Sequence, residues 1–302
     1  MTPTRLEQPA ARQGPGPMPQ RLLESLDLVV AQRASGVLPG DRRATGLGSG
    51  TELAQLRPYQ VGDDVRQIDP AATARTGQPH VRLHVPERTL TTWLVLDVSP
   101  SMAFGTADRL KIDVAEGAAL ALGHAAIRRA GRVALLTFGA GESRLIRPRA
   151  SRPGLVALRR RLSEGVAADG QADTRGLGEA LTRIGKVATQ SGLIVVISDF
   201  RDQEDWTRPI GALRARHAVL AVEVRDPREG TLPAVGHLAL IDPETGERIE
   251  VDTSRRAVRE RFAEIEAEGR ARVARDLRRL RVEHTVLSTG DDWLRELGSR
   301  LR

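Results

Sequence analysis

From residue 91 onward the chain alternates short runs that are apolar at nearly every position with helical stretches, and this alternation limits the fold more than any other feature. A strand that is apolar on both faces has to be covered on both sides, and runs of this kind separated by helices belong to parallel sheets. Residues 92–98, 193–198 and 218–224 read as such strands, with 132–138 a further strand. Residues 109–129, 155–162, 177–189 and 206–216 read as the helices between them. The expected architecture is therefore α/β: a doubly wound, mostly parallel, Rossmann-like sheet.

Residues 238–242 and 247–251 flank Pro243-Glu244-Thr245-Gly246, which carries the turn residues of a β-hairpin, expected as an addition to the sheet edge. A long helix should follow, with Ser254 as its N-cap and Val258, Phe262, Ile265, Val273, Leu277 and Leu280 on one face. A last strand (283–288) and a last helix (293–301) complete the pattern. The expected domain plan is a loose tail over 1–20, an N-terminal region over 21–90 and the α/β domain over 91–302. Within 21–90, residues 22–34 read as a short helix. The stretch Thr45-Gly46-Leu47-Gly48-Ser49-Gly50 reads as a turn and not a phosphate cradle, because no strand precedes it and no Gly-Lys-Ser/Thr follows.

Composition removes several functional classes. Cysteine is absent, which excludes disulfides, thiolate nucleophiles and Cys-ligated metals, so any metal must rest on oxygen or histidine. Aromatic residues make up 3% of the chain, too few for stacking platforms, with Trp93, Phe138 and Phe200 as the large core anchors. The net charge is +7, and every basic residue except Lys111 and Lys186 is arginine. The arginines interleave with carboxylates, which describes ion-paired solvated faces and not a nucleic-acid-binding stripe. The six histidines are scattered without a helix-spaced pair. Residues 1–20 carry five prolines and no apolar run, unlike a signal peptide, and nothing later reaches the length of a membrane-spanning helix. Cytoplasmic residence is the expectation.

Open α/β sheets bind ligands beyond the carboxyl ends of their strands. The first apolar strand ends in Asp97-Val98-Ser99-Pro100-Ser101, the second in Asp199, and Asp173-Thr174 lies in a polar loop before a helix. Two carboxylates and three hydroxyls form an all-oxygen set suited to a hard cation such as Mg2+ or Mn2+. An ion held mainly by neutral hydroxyls keeps its attraction for one further anion, such as a carboxylate of a partner protein.

Asp97-x-Ser99-x-Ser101 after an apolar strand, together with Ile197-Ser198-Asp199-Phe200, resembles a von Willebrand factor A domain with a metal-ion-dependent adhesion site. Upstream, Arg57-Pro58-Tyr59-Gln60-Val61-Gly62-Asp63-Asp64-Val65-Arg66-Gln67-Ile68-Asp69-Pro70 and Thr73-Ala74-Arg75-Thr76-Gly77 are similar to the signature of the bacterial domain-of-unknown-function family fifty-eight. The resemblance spans about residues 20–300. It implies that Ser99 and Ser101 bind the metal directly, that Asp97 and Asp199 act largely through water, and that Thr174 is the fifth member. Thr174 stands three residues before Leu177 where the pattern has two, and Asp173 is a possible substitute. Pro70 stands where many relatives carry a tryptophan. The resemblance further implies a non-catalytic protein-interaction module working with a MoxR-type AAA+ ATPase.

The signature segment, with Asp63, Asp64 and Asp69 among Arg57, Arg66 and Arg75, reads on its own as an ion-paired loop network that fixes a fold, with partner recognition through Tyr59 and Gly62 and their neighbours as the alternative. The competing function for the strand-end site is a Mg2+-dependent phosphatase with Asp97 as nucleophile. Such an enzyme needs an acid/base carboxylate two residues later, where this chain has Ser99.

Overall fold

The computed structural model describes residues 14–18, 52–85, 90–106, 108–128, 130–141, 143–168, 170, 176–202 and 205–300. These residues fall into two compact units, one formed within 52–85 and the other by 90–300 with 14–18.

The smaller unit is a β-ribbon. Strand β1 (Glu52–Pro58) pairs antiparallel with β2 (His80–Val85), and helix α1 (Pro70–Thr76) lies in the connection. Asp69 caps α1 by accepting from Ala72 N–H at 2.8 Å, with Pro70 as first helical residue, where its missing N–H costs nothing. Gly77 ends the helix in the left-handed conformation.

The larger unit is the expected doubly wound sheet. Its strands are β3 (Thr91–Asp97), β4 (Arg132–Phe138), β5 (Arg144–Ala150), β6 (Leu193–Ser198), β7 (Ala218–Arg225) and β10 (Glu283–Ser288), in the order β10-β7-β6-β3-β4-β5. All neighbours are parallel except β5, which runs antiparallel to β4 at one edge. Even positions of β3 face one way: Leu94 and Leu96 pack with α2 (Lys111–Arg128), α3 (Ser151–Leu162) and α7 (Trp293–Arg300). Odd positions face the other: Trp93 and Val95 pack with α4 (Leu177–Val187), α5 (Thr207–Arg214) and α6 (Arg256–Arg279). Every residue of β3 and β6 is buried, which explains the unbroken apolar runs 93–96 and 193–197.

Four details depart from the sequence reading. The hairpin forms, as β8 (His237–Ile241) and β9 (Arg248–Asp252), but as a separate two-stranded sheet and not as an edge of the main one. One edge is taken instead by β5, whose three arginines hide it from a search for apolar runs. Ser254 does not cap α6: its hydroxyl donates to Asp252, Arg255 holds the cap position, and of the expected face only Val273 and Leu277 are buried. Residues 14–18 are not loose, because Trp293 Nε1–H donates to Pro15 O at 2.9 Å and Met18 packs against the core. A buried indole N–H needs an acceptor, and the proline segment supplies one. The expected helix over 22–34 and the Gly-rich turn over 45–50 lie outside the described residues.

Candidate functional site

From β3 the chain proceeds to β4 on one side of the sheet and returns through β6 on the other, so β3 and β6 flank the point where the strand order reverses. Open α/β sheets bind ligands at such a point, beyond the carboxyl ends of the strands. Asp97 ends β3, Ser198 ends β6, and Asp199 follows it.

Local geometry folds each strand end back on itself. Ser99 N–H donates to Asp97 Oδ1 at 3.0 Å, Phe200 N–H to Ser198 Oγ at 3.0 Å, and Arg201 N–H to Asp199 Oδ1 at 3.1 Å. Such side-chain bonds two residues on turn a strand into a loop within one step. The two ends are joined by Ser198 Oγ–H, which donates to Asp97 Oδ2 at 2.6 Å. Ser99 and Ser101 hold their hydroxyl oxygens 3.0 Å apart. Asp97, Ser99, Ser101 and Asp199 are all buried. The structure thus gathers four of the expected residues in one place; Asp173 and Thr174 lie outside the described residues.

Two backbone features make this possible. Gly139, just after β4, has φ +89°, and a Cβ there would stand 2.7 Å from Ser99 Cβ. Only glycine allows both that conformation and that approach. Phe200 adopts φ 55°, rare for a non-glycine residue. Its ring is held edge-on against Trp206 at 5.4 Å, which fixes the turn that presents Asp199.

The two carboxylates are electrostatically unequal. Asp199 Oδ2 accepts from Lys111 Nζ at 2.7 Å, and the same ammonium reaches Glu229 Oε1 at 2.5 Å. Burial alone would raise the Asp199 pKa, but the Lys111 charge and hydrogen bond, with Arg201, hold it below the usual carboxylate range. The same two anions outweigh burial for Lys111 and raise its pKa. Arg201 extends the network to Glu266 on α6, at 2.6 Å. Asp97 has no such help: among the described residues its hydrogen bonds come from the neutral Ser99 and Ser198. Burial first, then repulsion from Asp199, push its pKa up to about 7.

Sequence reading missed Lys111, Glu229 and Gly139. Lys111 offered a signal, as one of two lysines in the chain and as a cation in the first turn of a helix, where the dipole disfavours it.

The oxygen set fits a hard divalent cation. Asp97 is a buried carboxylate short of positive charge, beside two hydroxyls that need only rotate to present lone pairs. Among the described residues no three His, Asp or Glu side chains cluster as a metal group, so any ion would rest on mixed carboxylate and hydroxyl oxygens.

The signature segment belongs to the smaller unit. Arg57 pairs with Asp63 at 2.7 Å, and Asp63 also accepts from Gln60 N–H, closing the loop around Gly62. Asp64 caps a short turn by accepting from Arg66 N–H, Tyr59 N–H donates to Pro79 O, and Asp69 pairs with Arg82 at 2.6 Å. The Arg66 and Arg75 side chains are exposed. Arg57, Asp63, Asp64 and Asp69 therefore act on their own backbone, as an ion-paired loop network does.

The chain is 39% identical over 279 residues to uncharacterized protein Rv1480 of Mycobacterium tuberculosis (strain ATCC 25618 / H37Rv), across 91% of this chain and 86% of that protein. It is equally similar to uncharacterized protein Mb1516 of Mycobacterium bovis (strain ATCC BAA-935 / AF2122/97). Among solved structures, conserved hypothetical protein BatB from Bacteroides thetaiotaomicron aligns at 14% identity and TM-score 0.44 over 70% of this chain and 97% of that one. A von Willebrand factor type A protein from Catenulispora acidiphila aligns at 14% identity and TM-score 0.39, over 70% and 42%. The family model for protein of unknown function DUF58 matches residues 55–272, and the chain belongs to that family.

Proposed function

We propose that the chain is a non-catalytic protein-interaction module whose strand-end site holds Mg2+ or Mn2+ and uses it to capture an acidic residue of a partner protein. Ser99 and Ser101 would bind the ion directly, Asp97 and Asp199 largely through water, with Thr174 or Asp173 as the remaining member. The bound ion supplies a Lewis-acidic position for the incoming carboxylate. The protein residues do the rest: Ser198 orients Asp97, Lys111 fixes Asp199, and Gly139 lets the serine loop close over the strand end.

The observation that carries this reading is the inequality of the carboxylates. Asp199 has its counter-charge built in, whereas Asp97 is buried beside two hydroxyls and, among the described residues, has neutral partners only. A divalent cation is the charge that such a site lacks. Ser99 stands where a phosphatase of the alternative type would need its acid/base carboxylate, which favours binding over hydrolysis. A MoxR-type AAA+ ATPase as the partner system, and cytoplasmic residence, belong to the same proposal and rest on the family resemblance. Among the described residues no helix is long and apolar enough to cross a membrane.

Calorimetric titration of Mg2+ and Mn2+ into the metal-stripped chain tests the reading, beside Asp97→Ala and Thr174→Ala. Saturable binding that Asp97→Ala abolishes supports it. Binding that survives Asp97→Ala refutes the assignment of the site.

A further inference from the structure

One carboxylate from a distant part of the chain already lies at the serine loop. Ser101 N–H donates to Glu244 Oε1 at 3.0 Å, across 143 positions of sequence. Glu244 sits at the tip of the β8–β9 hairpin, and the tip is closed by its own hydrogen bonds. Asp242 Oδ1 accepts from Glu244 N–H at 2.8 Å, Gly246 N–H donates to Asp242 O, and Asp242 N–H to Glu247 O. Gly246, at φ 74°, closes the turn in a conformation that suits glycine.

The tip is also seated. Gly170 N–H donates to Pro243 O at 2.8 Å, and Gly170 packs against Gly246 at van der Waals distance. The loop that receives it is itself tied to the strand end, through Ala167 N–H to Val98 O. At its root the hairpin is held by Thr253 N–H and Oγ–H on Gly236 O and by buried Leu238. Among the described residues no lysine or arginine pairs with Glu244. A half-buried carboxylate aimed at the backbone N–H of a site serine, with no cationic partner among the described residues, has the chemistry that the proposed site selects.

We propose that the hairpin tip is the chain's own occupant of the interaction site, and that the partner presents an acidic side chain on a similarly tight turn and displaces Glu244. This rests on the reading of the site as a receptor for carboxylates. The hairpin forms its own two-stranded sheet, so it can lift without breaking a strand pairing of the main sheet.

The probe is a cyclised peptide of residues 237–252, labelled for fluorescence anisotropy, added to the full chain in saturating Mg2+ or in chelator. In the unsubstituted chain the tethered tip competes at an effective concentration in the millimolar range, so Glu244→Gln should capture the peptide at least about tenfold more tightly. Capture should require Mg2+, and a peptide carrying Glu244→Gln should bind neither chain. Equal capture by both chains, no capture by either, or capture indifferent to the Gln peptide overturns the inference while calorimetric Mg2+ binding persists, and leaves the function reading standing. Loss of Mg2+ binding in both chains sinks the function reading and this inference with it.

Discussion

Asp97→Asn should stabilise the metal-free chain at pH 8 while removing its capacity to bind metal. The Asp97 carboxyl has an ordinary pKa of 3.8 and is pushed to about 7 in the fold, by burial first and by Asp199 second. At about 1.4 kcal/mol per pH unit, keeping it ionised above pH 7 costs on the order of 4 kcal/mol. An acid whose folded pKa is raised contributes its stability in full below 3.8 and loses it as the pH climbs to about 7. The neutral amide avoids that loss. Its oxygen can keep the Ser99 N–H bond, while its nitrogen must face Ser198 Oγ, which already accepts from Phe200 N–H, at a cost of about 1–2 kcal/mol for the exchanged bond. The expected net gain is therefore about 2 kcal/mol at pH 8, turning into a loss of about 1–2 kcal/mol at pH 4. Urea denaturation in chelator, followed by tryptophan fluorescence at both pH values, measures it. In saturating Mg2+ the order should reverse, because binding stabilises only the unsubstituted chain. A variant that is less stable at pH 8 in chelator, or a difference that does not change with pH, would refute the view of Asp97 as a carboxylate waiting for a cation.

Lys111→Met should have the opposite effect, destabilising the chain by about 3–5 kcal/mol, since it leaves Asp199 and Glu229 buried without their shared cation. A loss below about 1 kcal/mol in the same urea assay would mean that the pair is solvated. Gly139→Ala should weaken Mg2+ binding and cost about 1–3 kcal/mol, because the added Cβ meets Ser99 at a positive φ; unchanged calorimetry would show that the serine loop adapts freely. Asp226 is held below 3.8 by hydrogen bonds from Thr106, Thr289 and Arg228 N–H that outweigh its burial. Its stabilisation is present above 3.8 and is lost as the pH falls through the lower folded value, so Asp226→Asn should flatten the acid limb of a circular-dichroism pH titration. Gly117→Ala places a Cβ 2.5 Å from the buried Trp293 ring, and its clash of about 1–3 kcal/mol should exceed the gain of about 1 kcal/mol in helix propensity. A raised thermal midpoint would contradict that ranking.

What could be read from the sequence follows from how each contact is encoded. Strands β3, β6 and β7 are buried on both faces, so burial is written at nearly every consecutive position, and order along the chain alone puts Asp97, which ends β3, and Asp199, which follows β6, at neighbouring strand ends. Strand β5 escaped because an edge strand need only pair on one side, and its Arg-Leu-Ile-Arg-Pro-Arg-Ala carries its apolar residues on too short a stretch to register. The hairpin was legible from its turn residues, but a two-stranded turn says nothing about what its tip touches. The contact of Glu244 with Ser101 spans 143 positions, and that of Lys111 with Asp199 spans 88. Such pairs exist only once the sheet has brought the ends of its strands together. The charge of Lys111 makes the point sharply. In sequence Asp97 and Asp199 are two equivalent strand-end carboxylates; in the fold one has a resident ammonium, and among the described residues the other has hydroxyl and amide partners only. The asymmetry between the two carboxylates is thus set by a helix residue that no strand-end motif contains.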